Sequence, residues 1–191
     1  MRRGLLVSAL FLLMFSCVEP DPTVVIETEL GNIILELYTD KAPLTTANFL
    51  RYINENRYQG ATFYRVVTLE NQPYSSTKIE VIQGGLFEDN PPLALPPIPH
   101  ESTEQTGVLH LDGVISMARY EPGTATFEFF ICVGDQPSLD AGGFRNPDQQ
   151  GFAAFGQVVA GMEVVRKIHQ QPEQEQFLQT RIKIQKIRVI D

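Results

Sequence analysis

Short runs of β-forming residues, broken by loops rich in glycine and proline, set the strongest limit on what this chain can fold into. The 191 residues include 14 glycines and 13 prolines. Most runs between them alternate apolar and polar residues, which is typical of strands with one face in a core. These runs predict eight strands, at residues 24–30, 33–38, 61–67, 79–85, 113–119, 126–134, 152–159 and 181–190.

Two further segments have helical spacing instead. Pro43 suits the first turn of a helix, and apolar residues recur after it at Phe49, Leu50 and Ile53. A second amphipathic segment follows at residues 161–170. Many short strands with two helices predict a mainly β fold, namely a closed eight-stranded antiparallel β-barrel capped by two α-helices. The pair Gly31-Asn32 predicts a tight hairpin turn between the first two strands.

The N-terminal residues differ from the rest in composition. Arg2 and Arg3 precede an apolar run, which ends at Ser16 before Cys17. The run is too short to span a bilayer as a helix and has the order of a secretory signal peptide. It resembles the cleavage site of a bacterial lipoprotein, in which Cys17 would carry the lipid. Ordinary signal cleavage nearby, or a cytoplasmic start with a chance apolar run, are the alternatives.

This pattern divides the chain into a signal peptide at 1–16, a lipidated tether at 17–22 and one domain at 23–191. We therefore expect the protein in the cell envelope, lipid-anchored to a membrane on the periplasmic or outer-membrane side. The net charge of -8 argues against nucleic acid as a partner, because phosphates attract basic surfaces. Cys132 stands alone in an apolar run and is typical of a small buried hydrophobic residue rather than a disulfide partner.

The usual signatures of cofactor, metal and nucleophile chemistry are missing from the sequence. It has no phosphate-cradling glycine loop, no zinc-binding helix pair and no serine elbow. The three histidines, His100, His110 and His169, are scattered singly and favour structural roles. The arginine in "FYRVV" (63–67) and the glutamine in "VIQGG" (81–85) remain the most unusual polar residues in apolar runs.

Six motifs in order resemble the cyclophilin-type peptidyl-prolyl cis-trans isomerases, from residue 23 to 191. They read "GNIILELYTDKAPLTTANFL", "FYRVV", "IQGG", "GVISMAR", "FFICVGDQPSLD" and "FAAFGQVVAGMEVVRKI". The resemblance implies an isomerase of X-Pro bonds that needs neither cofactor nor metal. Its substrates would be proline-containing polypeptides, and we expect a monomer.

Site residues follow from the same resemblance. Arg65 falls on the catalytic arginine, and Gln83 on the glutamine that binds the substrate backbone. Phe130 falls on the floor of the proline pocket and Leu139 on its wall. The remaining matched groove positions are Ala118, which lines the part that takes the residues before proline, and Val81, where the family often has methionine.

Several positions depart from the family pattern. Glu80 replaces an aromatic residue, Glu128 a glutamine, Arg119 an asparagine, Ser138 a tryptophan, and Phe152 a histidine or tyrosine. We expect Glu80 and Glu128 to line the groove and to favour peptides with Lys or Arg next to proline. Taken alone, both glutamates could be solvated strand charges, Arg65 an edge cation paired with one of them, and Phe130 a core residue.

The sequence thus predicts an isomerase that assists the folding of exported or envelope proteins. A fixed guanidinium can donate a hydrogen bond to the prolyl nitrogen once amide resonance is broken. The alternative is a binding module or chaperone of the same fold with weak or no isomerase activity. The missing aromatic at Glu80 favours that alternative, whereas Arg65, Gln83 and Phe130 oppose it. A structural envelope protein without a groove ligand is the third possibility.

Overall fold

Antiparallel strand pairing organises the computed structural model, which describes residues 21–87 and 94–190. The predicted signal peptide at 1–16, Cys17 and most of the tether lie outside the described residues. The strands are β1 Thr23–Thr28, β2 Gly31–Leu37, β3 Thr62–Val67, β4 Val81–Gly85, β5 Val114–Met117, β6 Phe129–Cys132, β7 Ala153–Ala160, β8 Glu173–Gln174 and β9 Phe177–Val189. The helices are α1 Pro43–Asn54, α2 Thr103–Thr106 and α3 Met162–His169.

The strands close into a barrel. Their order is β1-β2-β7-β5-β6-β4-β3-β9-β8, and a further pairing of β1 with β9 completes the ring. Eight strands therefore form the barrel, while the two-residue β8 pairs only with the start of β9. The predicted closed, antiparallel, eight-stranded barrel is confirmed, and β8 is an element that the sequence pattern did not reveal.

The core lies inside this ring and beneath two helices. Phe49 of α1 packs edge-on against Phe129, with ring centroids 5.6 Å apart, and Phe155 lies 5.2 Å away on another side. Val165 and Ile168 bury one face of α3 against the same core. Both predicted helices are confirmed, and Pro43 occupies the first turn of α1 as expected. No helix among the described residues has the length and apolar character needed to cross a bilayer.

The short helix α2 is a third helix that was not predicted. The backbone N–H of Ser102 donates to Gln105 Oε1 at 2.9 Å, and Gly107 ends the helix in the left-handed conformation with φ of 69°. The spacing S-x-x-Q followed by glycine is a sequence signal for such a helix.

The first hairpin turns two residues earlier than predicted. Glu29 and Leu30 form the turn, and Gly31 pairs with Thr28 as the first residue of β2. Gly31 has φ of +133°, and a Cβ there would lie 2.8 Å from Val164 Cγ2 of α3. Glycine suits this position for two reasons, because other residues rarely adopt this φ and because α3 packs closely against the hairpin here.

A β-bulge in β3 turns two neighbouring side chains toward the same face of the sheet. Phe63 pairs with Gly84 and Arg65 with Gln83, so Tyr64 is the extra residue on β3. Phe63 and Val66 consequently point into the core, whereas Tyr64 and Arg65 both face the groove on the other side of the sheet. Without the bulge, strict alternation would place Tyr64 and Arg65 on opposite faces.

Candidate active site

A groove of about 1120 Å³ lies on the outer face of β3, β4 and β6. It brings together nine of the residues selected from the sequence, which come from distant parts of the chain. They are Arg65, Val81, Gln83, Ala118, Arg119, Glu128, Phe130, Leu139 and Phe152. A polar end and an apolar end can be distinguished within it.

The apolar end is a cluster separate from the barrel core. Val67, Ile79, Val81, Phe130, Cys132 and Leu139 are its buried members, and Ala118 and Phe152 pack against them. Phe130 and Phe152 meet edge to face, with centroids 5.2 Å apart and planes at 87°. Leu139 is brought to this cluster by a 3-10 turn at Pro137–Leu139. The arrangement can hold a small apolar ring.

A buried polar line supports Phe130 from below. The imidazole of His110 stacks on its ring, at 5.9 Å between centroids and 15° between planes. Nδ1 of His110 lies 2.7 Å from Asp140 Oδ1, and Nε2 lies 3.0 Å from Ser116 Oγ. Because Ser116 is fully buried, this Ser-His-Asp line cannot reach a ligand as a nucleophile. It holds the floor of the apolar end in place.

Arg65 occupies the polar end and is held by two amides. Its Nη1 donates to Gln83 Oε1 at 2.8 Å, and its Nε and Nη2 donate to Gln176 Oε1 at 3.1 and 2.5 Å. No carboxylate pairs with Arg65 among residues 21–87 and 94–190. Burial lowers the pKa of Arg65, and Tyr64 opposes that shift. An arginine nevertheless stays charged, so the site contains an oriented positive donor.

Glu128 lies beside this arginine network but does not contact Arg65. One of its oxygens accepts from the hydroxyl of Tyr64, and the other accepts from the backbone N–H of Phe87 at 3.0 Å. Burial raises the pKa of Glu128. Burial, and next the charge of Glu128, raise the pKa of Tyr64. Glu128 lines the groove as expected, but protein donors already occupy both of its carboxylate oxygens.

Glu80 is not a groove residue, so the expectation that it lines the groove is wrong. Ile79, Val81 and Gln83 alternate along one face and line the groove, whereas Ile82 faces the barrel core. By this alternation Glu80 belongs to the same face as Ile82, opposite to the face of Gln83 and the groove. Ile79 therefore supplies the apolar side chain next to Val81 on the groove face, and no carboxylate stands at that place.

Arg119 is at the groove but fixed to a loop. Nη1 and Nη2 bind the two carboxylate oxygens of Asp148 at 2.8 and 2.9 Å, and Nε donates to the carbonyl of Gly151 at 2.9 Å. Its guanidinium lies 5.2 Å from the centroid of Phe152. The hydrogen bonds from Arg119 lower the pKa of Asp148 to about 2. Arg119 therefore anchors the 141–151 loop and orients Phe152.

Two further groove residues were missed. Gln176 lies between β8 and β9 and provides one of the two amide oxygens that accept hydrogen bonds from Arg65. Arg145 Nη1 lies 2.8 Å from Gln72 Oε1, 3.0 Å from Ser75 Oγ and 2.8 Å from the carbonyl of Thr77. Neither residue belongs to a recognisable motif. Within the described part of the chain, no group of three or more His, Cys, Asp or Glu side chains could hold a metal ion.

Comparison with known proteins gives consistent matches. The family model described as cyclophilin type peptidyl-prolyl cis-trans isomerase/CLD matches residues 23–189. A peptidyl-prolyl cis-trans isomerase of Acinetobacter baylyi is 34% identical over 165 residues, which cover 86% of this chain and 80% of that protein. Peptidyl-prolyl cis-trans isomerase A of Dickeya dadantii is 39% identical over 150 residues, covering 77% and 70%.

Solved structures agree on the fold. A cyclophilin type peptidyl-prolyl cis-trans isomerase of Cryptosporidium parvum superimposes with a TM-score of 0.71 at 20% identity, covering 90% of this chain and 98% of that one. A second crystal structure of that protein was determined in the presence of the dipeptide Ala-Pro. It covers 88% of this chain and 99% of its own, with a TM-score of 0.70.

Proposed function

Because this chain belongs to the cyclophilin-type peptidyl-prolyl cis-trans isomerase family, we propose that its groove catalyses rotation about X-Pro bonds with Arg65 as the catalytic residue. One observation carries the assignment of Arg65. Its guanidinium is oriented by two neutral amides rather than by a carboxylate. Its charge is therefore not neutralised by a carboxylate of the described residues.

The reaction needs a donor and little else. Rotation about a peptide bond has a barrier of ~18–20 kcal/mol, since it breaks amide resonance. At the transition state the prolyl nitrogen becomes pyramidal and can accept a hydrogen bond. A donor already oriented toward that nitrogen stabilises the twisted state more than either planar state. Arg65 has five N–H groups, and the described acceptors leave some of them for a ligand.

The apolar end of the groove would hold the pyrrolidine ring. Phe130 would form its floor and Leu139 its wall, with Val81 and Phe152 beside them. Fixing the ring while the preceding residue rotates confines the motion to the reacting bond. Gln83 would bind the substrate backbone through the carbonyl lone pair that its contact with Arg65 leaves over, because its NH2 group faces Tyr64 and Glu128.

The substrates would be proline-containing polypeptides. The groove, of about 1120 Å³, has room for a peptide, and the related Cryptosporidium structure was determined with Ala-Pro present. The missing pocket aromatic at position 80 favoured a binding module without activity. Ile79 rather than Glu80 lines the groove there, so this wall of the pocket is apolar although it is not aromatic.

We further propose that the substrates are exported or envelope proteins, whose folding the enzyme assists. The support is the basic, apolar and small-residue order that precedes Cys17. A lipid on Cys17 would hold the enzyme at a membrane surface.

The direct test is a proline-isomerisation assay on the purified protein, with a peptide that carries a single X-Pro bond. We expect acceleration over the uncatalysed exchange, which takes roughly tens to hundreds of seconds. Saturable peptide binding with no acceleration would overturn the enzymatic role and support a binding module.

A further inference from the structure

A line of hydrogen bonds connects Glu128 to the arginine of the site. Tyr64 donates its hydroxyl hydrogen to Glu128, and Gln83 Nε2 donates to the Tyr64 oxygen at 2.6 Å. Gln83 Oε1 in turn accepts from Arg65 Nη1 at 2.8 Å. We propose that Glu128 is a positioning residue, whose carboxylate sets the direction of this line and so presents the Gln83 carbonyl oxygen to Arg65. This inference rests on the proposed isomerase function.

The direction follows from which groups can donate. An ionised carboxylate has no hydrogen to give, so Tyr64 must be the donor in its contact with Glu128. With its only hydrogen committed, the Tyr64 oxygen must accept from Gln83, which requires the Gln83 NH2 group on that side. The carbonyl oxygen of Gln83 then faces Arg65. The opposite amide orientation would place an NH2 group against a guanidinium that can only donate.

An amide at position 128 would not fix the direction of these hydrogen bonds. A glutamine there can donate as well as accept, so the Tyr64 hydroxyl could turn toward Gln83 instead. Gln83 could then rotate its amide and lose the hydrogen bond to Arg65. The two arrangements would interchange, and Arg65 would be oriented for only part of the time.

Neighbouring backbone groups hold the Glu128 carboxylate in one position. The Phe87 N–H binds its second oxygen at 3.0 Å, and Gly85, with φ of +151°, leaves room for it. A Cβ at Gly85 would overlap the Glu128 carboxylate. Glu128 is thus enclosed by its neighbours and is not free to turn toward a ligand.

The elements packed around Glu128 contribute the groups that face its carboxylate. They are Tyr64 of β3, Gln83 of β4, the backbone N–H groups of Leu86 and Phe87 after β4, and Tyr58 after α1. No Lys or Arg forms an ion pair with Glu128 among the described residues. Burial therefore raises the pKa of Glu128. Once protonated, Glu128 can donate to Tyr64, and the direction of the line is lost.

The test compares pH profiles of kcat/KM for the wild-type protein, Glu128→Gln and Tyr64→Phe, from about pH 8 down to about pH 4. The pH at which kcat/KM has fallen by half is compared with the pKa of an ordinary glutamate, ~4.3. We expect wild-type kcat/KM to fall on acidification, with a midpoint above that ordinary value. Glu128→Gln should be roughly tenfold less active at neutral pH, as for one weakened charge-assisted hydrogen bond, and flat over that range. Glu70→Gln, an exposed carboxylate, is the matched control and should keep the wild-type profile.

A double variant separates positioning from simple structural damage. Because both side chains act through one line, Glu128→Gln combined with Tyr64→Phe should be no less active than Tyr64→Phe alone. Additive losses, or a Glu128→Gln enzyme with the wild-type rate and pH profile, would overturn the proposal. Folding of each variant is checked by thermal unfolding. An inactive wild-type protein would instead count against the proposed function itself.

Discussion

Gln176 accepts two hydrogen bonds from Arg65, one from Nε at 3.1 Å and one from Nη2 at 2.5 Å. The glutamine is itself well held. Its backbone N–H donates to Glu173 Oε2 at 2.5 Å, and its Nε2 donates to the carbonyl of Asn71 at 3.0 Å. The bend between β8 and β9 thus acts as the second support of the guanidinium, opposite Gln83.

We expect Gln176→Ala to lower kcat/KM by roughly tenfold, since Arg65 loses the acceptor for two of its nitrogens. The measurement is the same X-Pro assay, with Gln179→Ala as a control three residues further along the chain, on β9, where the side chain is exposed. Equal rates in the two variants would show that Gln83 alone suffices to orient Arg65.

Arg65→Ala should remove most of the activity while the barrel stays folded. Loss of an oriented transition-state donor costs roughly 100- to 1000-fold in other enzymes. Arg65→Lys should recover little, because an ammonium cannot span both amides as the guanidinium fork does. Circular dichroism establishes the fold of each variant. A folded Arg65→Ala protein with the wild-type rate would falsify the assignment of Arg65.

Glu128→Gln should make the fold more stable at neutral pH, even as activity falls. The pKa of Glu128 is raised in the folded state, so ionisation of this group costs stability there. Its contribution to wild-type stability is full at low pH and is lost as pH rises through the folded-state pKa. Urea unfolding of both proteins should show the advantage of Glu128→Gln growing with pH. An advantage that shrinks with pH would contradict the sign of the shift.

The preference for the residue before proline should be the reverse of the one expected from the sequence. With Glu80 outside the groove and both Glu128 oxygens bonded, Arg65 and Arg145 are the cations of the described groove without a carboxylate partner. We therefore expect peptides with Glu before proline to be turned over a few-fold faster than those with Lys, an advantage that fades with added salt. A faster Lys peptide at low salt would restore the original expectation.

Cys17→Ser should release the protein from the membrane fraction or leave its signal peptide uncleaved, because serine cannot carry a thioether-linked lipid. Fractionation and the mass of the processed protein are the measurements. A Cys17→Ser protein that is processed normally and still sediments with membranes would rule out the lipid anchor.

Alternation could have placed one of these residues correctly. Gln83 faces the groove, so residues 81 and 79 must do so too, and Glu80 must face away. The family motif has its aromatic three residues before the glutamine, a spacing that does not follow this alternation of side chains. The barrel itself was predictable because each strand carries its own pattern of apolar and polar residues.

Other contacts could not be predicted from local patterns. Gln176 is 111 residues from Arg65 in sequence and lies in a polar segment with no strong periodicity. The bulge at Tyr64 depends on how β3 pairs with β4, which a single strand does not reveal. The engagement of Glu128 by Tyr64 follows from that bulge, so the sequence alone does not reveal that the Glu128 carboxylate is already hydrogen-bonded.

Arg145 ties together the two loops at 68–78 and 141–151, with its Nη1 near acceptors on Gln72, Ser75 and Thr77. For protein engineering, these loops are therefore a matched pair. A chimera that shortens the first loop alone would leave a half-buried guanidinium without acceptors, and one that shortens the second alone would remove the cross-link and loosen the first. Exchanging both together is the graft that keeps this rim of the groove intact.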